Sequence, residues 1–110
     1  MKLIHNPEFT HTVKVKTPVD GGHQEDTFKA RFKMIAHSRM QEAERLCEDE
    51  DKTRAFLREI LIGAEDIEDE QGKPLAWNDE LRDHLIDMPH TRNALFLGYF
   101  AAFSTAKAGN

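Results

Sequence analysis

Six histidines, a single cysteine and two acidic runs are the residues here with chemistry to offer. The histidines are His5, His11, His23, His37, His84 and His90. None has a partner at the i, i+4 spacing that puts two imidazoles on one helix face, and there is no Cys-x-x-Cys to complete a zinc set. His84 and His90 straddle Pro89, where a surface or capping role fits better than metal binding. The acidic runs are Glu48–Asp51 and Glu65–Glu70. The second has Gly72 nearby but lacks the Asp-x-Asp-x-Asp-Gly order and closing glutamate of a calcium loop, so both runs read as solvated faces. Cys47 has no neighbouring base in sequence and reads as a small buried apolar residue. No Gly-x-Ser-x-Gly and no phosphate-cradling glycine loop occurs. The sequence therefore reads as a non-catalytic protein with no metal and no cofactor.

Charge and length narrow the classes further. A chain of 110 residues suits one domain, long enough to bury a core unaided. Its net charge of −5 argues against nucleic acid as the partner of the whole surface. One cysteine allows no internal disulfide, and a reducing cytoplasm is the simplest compartment. Met1–Pro7 has no apolar run long enough for a signal peptide. The most apolar window, Ala94–Phe103, is about half of what a membrane helix needs. The charge is also uneven: residues 1–36 carry a net +2 and residues 37–110 a net −7.

The elements that position these residues follow from periodicity. Phe9 to Thr17 alternates, with Phe9, His11, Val13 and Val15 on one side and Thr10, Thr12, Lys14 and Lys16 on the other. Thr27 to Lys33 alternates in the same way. Pro18–Gly22 between them carries turn signals, so the pair reads as an antiparallel hairpin over 8–35. Its apolar face needs helices or another strand to lie on. Ser38 and Gln41 fit a capping box for a first helix carrying Met40, Ala43, Leu46 and Cys47. A break near 49–51 follows, with Asp51 capping a second helix from Lys52 to Ile62. Phe56, Leu57, Ile60 and Leu61 form its stripe, and Gly63 stops it. The third helix runs from Asp79 to Asp87, capped by Asn78, and buries Leu81, Leu85 and Met88. Pro89 either stops it or opens a fourth helix that reaches about Thr105. Residues 106–110 fray. The expected fold class is α+β: an N-terminal hairpin followed by about four helices, with the helical part over 38–105.

Between the second and third helices lies an acidic crossing, a turn at Gln71-Gly72-Lys73-Pro74 and the lone tryptophan. Ile67, Leu75 and Trp77 are expected to point inward from a small irregular hairpin and anchor the junction of two helices. The fourth helix is apolar on every side, whereas a surface helix of a small domain shows a polar face. Leu97, Phe100 and Phe103 are therefore expected to meet another chain. Lys14, Lys16, Lys29, Arg31 and Lys33 gather on the polar face of the hairpin. Opposed to the acidic runs of a second copy, they would make a head-to-tail homo-oligomer.

Residues 57–110 carry a further pattern. It comprises Ile62-Gly63-Ala64-Glu65-Asp66-Ile67-Glu68-Asp69-Glu70-Gln71-Gly72-Lys73-Pro74-Leu75-Ala76-Trp77, then Leu85-Ile86-Asp87-Met88-Pro89, Arg92, Ala94-Leu95 and Tyr99-Phe100. An acidic turn leading to Pro-Leu, a short helix ending before Pro, then Arg-x-Ala-Leu with a downstream aromatic resembles the tail assembly chaperones of long-tailed phages and prophages. The hairpin fits that family in outline. The resemblance implies a non-catalytic protein of the infected bacterial cytoplasm, absent from the finished particle. It would hold the tape measure protein and recruit tail tube subunits to it. A tail-completion or other small phage structural protein, or an acidic inhibitor of a host enzyme, is the competing reading.

Overall fold

In a computed structural model that describes residues 1–45 and 48–108, the chain forms a three-stranded antiparallel sheet and four helices. Strand β1 (Glu8–Val19) pairs with β2 (Gly22–Lys33) through a register running from Glu8 opposite Lys33 to Val19 opposite Gly22. Only Asp20 and Gly21 connect them, and Gly21 takes a φ of +83° that an L side chain rarely adopts. The strands thus run through Pro18, which the sequence places in a loop. β1 is an edge strand, and there a residue without an N–H is tolerated.

Helix α1 (His37–Arg45) begins ahead of Ser38: the amides of Arg39 and Met40 donate to the Ala36 carbonyl, at 3.0 and 3.1 Å. Leu46 and Cys47 lie outside the described residues. Helix α2 (Glu50–Ile60) is capped by Asp49, not Asp51; the Asp49 carboxylate accepts from the Lys52 amide at 3.1 Å. Any carboxylate in an acidic run can cap, and here the turn of the chain at Asp49 decides which one does. Helix α2 also stops earlier than its apolar run. Leu61–Glu65 is a third strand, β3, antiparallel to β2, with Phe32 opposite Leu61 and Arg31 opposite Gly63. Ile62 is the extra residue of a bulge between those two pairs. Gly63 is a close-approach residue rather than a helix stop: a Cβ there would sit 3.1 Å from Cβ of Arg31.

The segment from Asp66 to Asn78 makes the small hairpin expected of it. Leu75 N–H donates to the Ile67 carbonyl at 2.8 Å, and Asp69 N–H to the Lys73 carbonyl at 2.9 Å. The Asp69 carboxylate accepts from the amides of Gln71 and Lys73, both at 2.9 Å, which fixes the turn. Ile67 and Trp77 are half-buried against the core, whereas Leu75 is 40% exposed and lies outside the core cluster. Helix α3 (Asp79–Asp87) has Asn78 as its cap, accepting from Leu81 N–H at 2.7 Å. It buries Leu81, Leu85 and Ile86, while Met88 beyond its end is exposed. Pro89 opens helix α4 (Pro89–Ala108).

One face of the sheet is covered. Helix α4 lies along β1, α2 reaches β2 and β3, and α3 packs on α2 and α4. The core is Val13, Val15, Phe28, Ala30 and Phe32 from the sheet, with Leu57, Ile60, Leu81, Leu85, Ile86, Leu95 and Tyr99 from the helices and Leu61 from β3. From Lys16 to Thr27 every residue of the hairpin is exposed, so its distal part projects past the helices.

Candidate partner-binding site

Two groups of residues qualify on sequence grounds, and the fold puts them on opposite sides of the sheet. Lys14, Lys16, Lys29, Arg31 and Lys33 share its uncovered face, as alternation requires. Cross-strand partners on that face include acids, so the face is not uniformly basic. Glu8 stands opposite Lys33, Glu25 opposite Lys16 and Glu65 opposite Lys29. Arg31 Nε lies 3.3 Å from the Glu8 carboxylate, and Arg31 Nη1 donates to Thr10 Oγ1 at 3.0 Å. Lys29 Nζ lies 3.9 Å from Asp66. Of the five, Lys14, Lys16 and Lys33 form no ion pair among the described residues, and Lys14 and Lys16 are exposed where Lys33 is half-buried, so those two are the cations most open to a partner.

The second group is on α4, and it divides. Leu97 is 67% exposed and points outward with Asn93 and Ala101, one turn to either side. Phe100 and Phe103 are half-buried within an aromatic cluster of the chain itself. Phe103 meets Phe9 edge-on at 5.5 Å and Tyr99 at 5.0 Å between centroids. Phe100 stacks on Phe56 at 6.0 Å, and Phe96 tilts against Phe100 at 4.9 Å. Helix α4 is apolar all round because sheet, α2 and α3 take up most of its circumference, which a domain of this size does have room for.

Tyr99 is the hub of that cluster. It is fully buried, and its hydroxyl donates to the Lys33 carbonyl at 2.9 Å, joining α4 to the end of β2. Burial pushes the phenol up to about 12, so it is neutral at any physiological pH. At the other end of α4, Arg92 is 6% exposed and reaches Glu50 at 3.5 Å, tying α4 to the first turn of α2. Arg54 bridges the same end of α2 to α3 through Asp87 at 3.7 Å, and Arg58 reaches Asp83 at 3.3 Å. Arg82 and Arg58 together hold the Asp83 carboxyl below its ordinary range, the Arg82 hydrogen bond first. Much of the Glu48–Asp51 run is therefore occupied inside the chain, as cap and as ion-pair partner.

A third feature has no signal in the sequence. Helix α1 packs chiefly on α2 and has no fully buried residue among those described. Between them is an open cleft of about 220 Å³ lined by Arg39, Ala43, Thr53, Phe56 and Glu59, with Phe96 of α4 at its floor. Arg39 and Glu59 pair across it in a short contact. Their hydrogen bond is the main cause holding the Glu59 carboxyl low and the Arg39 guanidinium high. The two residues stand 20 positions apart, and no spacing rule links them.

No group of histidine, cysteine, aspartate and glutamate suited to hold a metal occurs among the described residues. No helix among them is long and apolar enough to cross a membrane. No family model, no curated protein and no solved structure matches the chain.

Proposed function

We propose that this protein is a non-catalytic tail assembly chaperone of a long-tailed phage or prophage. In this reading it works in the cytoplasm of the bacterial host and is absent from the mature particle. It holds the tape measure protein in extended form and recruits tail tube subunits to it. The observation that carries the reading is the sequence pattern within residues 57–110. The acidic turn before Pro74-Leu75 is the hairpin closed by Asp69. The helix that ends before Pro89 is α3. Arg92 ties α4 to α2, and Leu95 and Tyr99 enter the core. The uncovered sheet face, with Lys14 and Lys16 unpaired, is the surface on which one copy meets an acidic run of the next, head to tail along the extended partner.

Co-expression with the tape measure protein of the same phage tests this directly. The tape measure protein is expected to stay soluble and co-purify only when the chaperone is present. A tape measure protein that neither binds it nor gains solubility would overturn the reading. The head-to-tail contact has its own test in sedimentation. Larger species should shrink as the screening length falls from about 10 Å at 0.1 M salt to about 3 Å at 1 M. Lys14→Glu with Lys16→Glu should disperse them more than Lys29→Glu with Arg31→Glu, because the latter two cations already have partners within the chain. Sizes indifferent to salt and to both double variants would remove the charged contact.

A further inference from the structure

Strand β1 is the long edge of the sheet, and among the described residues no strand pairs with its outer side. Its 12 residues run in unbroken register with β2, about twice the commonest strand length. The other edge, β3, has five residues and the bulge at Ile62, both of which discourage a further strand. On β1 the deterrents are Pro18 near the tip and the cations Lys14 and Lys16, which repel a strand with cations in the same place. Two observations fix which residues of β1 aim their backbone groups outward. The Pro7 carbonyl accepts from Met34 N–H at 2.9 Å, so Pro7 bonds toward β2. Bonding alternates along an antiparallel strand. The odd-numbered residues from Phe9 to Thr17 therefore bond to β2, and the even-numbered ones from Glu8 to Lys16 aim N–H and C=O away from the sheet. Pro18 falls in the outward set, where its missing N–H costs the ladder no bond.

We infer that a second copy of this chain pairs its own β1 with that outer side, antiparallel, about a two-fold axis at Thr12. Two three-stranded sheets then become one. Thr12 stands opposite Thr12 of the other copy, Thr10 opposite Lys14 and Glu8 opposite Lys16. What selects a second copy is the charge order of the strand itself, with an acid at its start and cations further on. Reversal about Thr12 sets each Lys16 against the other copy's Glu8, twice per pair. Glu8 has room for it, because Arg31 reaches only Oε1 and the Glu8 side chain is 44% exposed. An axis at Val13 would lose both ion pairs and bring Pro18 opposite Glu8, and an axis at Lys14 or beyond would set lysine against lysine. The outward N–H and C=O groups from Glu8 to Lys16 each gain a partner, and together they contribute more than the two exposed ion pairs. The axis is perpendicular to the sheet, so the helices of both copies stay on one side of it. The inference does not rest on the chaperone reading or on its head-to-tail contact: this symmetry is closed, and the groups that join are backbone.

The full chain is tested by sedimentation equilibrium in 1 M salt, where a screening length of about 3 Å suppresses a charge-driven head-to-tail contact and leaves a backbone ladder standing. A dimer is expected there. Thr12→Pro should weaken it about 10-fold or more, the scale of two lost hydrogen bonds at the axis. Pro18 already occupies an outward position of β1, so the monomer fold should survive, checked by circular dichroism. Thr12→Cys in a Cys47→Ser chain reads the register without proline. Its Cα atoms would face each other at about 5.5 Å, within disulfide reach, and should oxidise to a covalent dimer. Thr10→Cys, displaced about 13 Å along the strands from its counterpart, should not. Hydrogen exchange gives a third readout: the amides of Thr10, Thr12 and Lys14 should gain protection on dimerisation, while those of Phe9, His11 and Val13 are protected already in the monomer. A monomer in 1 M salt at every concentration would overturn the second copy as occupant and leave the edge to a strand of another protein. A dimer indifferent to a folded Thr12→Pro, cross-linking of Thr10→Cys equal to that of Thr12→Cys, or no added protection at the even-numbered amides would each overturn the pairing too. None of these outcomes bears on tape measure binding, so failure here and failure of the chaperone reading are distinguishable.

Discussion

Helices α1 and α4 touch the same aromatic residues and are held in opposite ways. Helix α4 buries Thr91, Arg92, Leu95 and Tyr99, packs on β1 and ties itself to β2 through the Tyr99 hydroxyl. Helix α1 fully buries none of its described residues and packs chiefly on one neighbouring element. Both carry apolar side chains at helical spacing, so amphipathicity alone does not tell how firmly a helix is fixed. What separates them is the number of independent surfaces against which each is packed. An element with several is part of the cooperative unit, and an element with one opens at its own small cost.

That contrast can be broken at four points. Tyr99→Ala should lose about 3–5 kcal/mol of global stability, the large-to-small penalty for a buried aromatic; a denaturant midpoint close to wild type would show that α4 is not the keystone. Next in size is the response to alkali. Tyr99 titrates near 10 when unfolded and is pushed up to about 12 in the fold. Its contribution is therefore whole below pH 10 and lost as pH rises from 10 toward 12, a fall of about 2–3 kcal/mol. Tyr99→Phe should flatten that part of the pH–stability curve, checked by urea titration at a series of pH values. Met40→Ala on α1 should cost under about 1 kcal/mol globally, because a half-buried side chain has little transfer energy to lose, yet it should raise α1 amide exchange while leaving α3 unchanged. The smallest effect is at the acid end. The Glu59 carboxyl is held low by Arg39, so its support of α1 is present above its unfolded range near 4.5 and fades as pH falls through the lowered value. Exchange at α1 should accelerate there before any global transition, and Glu59→Gln should abolish the pH dependence.

The hairpin was legible because period-2 alternation over Phe9–Thr17 and Thr27–Lys33 leaves only one pairing around a Gly-Gly turn. Helix α3 was legible from Asn78, whose side chain caps it as its type and position suggest. Strand β3 was not legible. Leu61-Ile62-Gly63-Ala64 continues the apolar stripe of α2, and five residues are too few for periodicity to arbitrate between helix and strand. Its one glycine has the look of a helix stop, although what it meets there is a close approach of the Arg31 side chain. Leu75 stands opposite Ile67 in the small hairpin yet is 40% exposed, while Ile67 and Trp77 pack on the core. The basic face was correctly composed, but the placing of Glu8, Glu25 and Glu65 among its cations depends on register. The Arg39–Glu59 cleft depends on two helices crossing, for which local sequence holds no record.

Mechanically, the distal hairpin is a cantilever. Beyond the Val15–Asp26 pair every residue of its two strands is exposed, and they run about 13 Å further to the turn, at about 3.3 Å per residue. Stiffness there comes chiefly from the ladder bonds, with the base held by the core and the strands closed at the tip by Asp20-Gly21. Such a beam bends most at its free end and is steadied by whatever it leans on. Lys16 sits on that overhang and Lys14 at its root, so a partner gripping them would also damp its motion. Ordering of residues 16–27 would then be the first sign of an encounter, ahead of any change in the core.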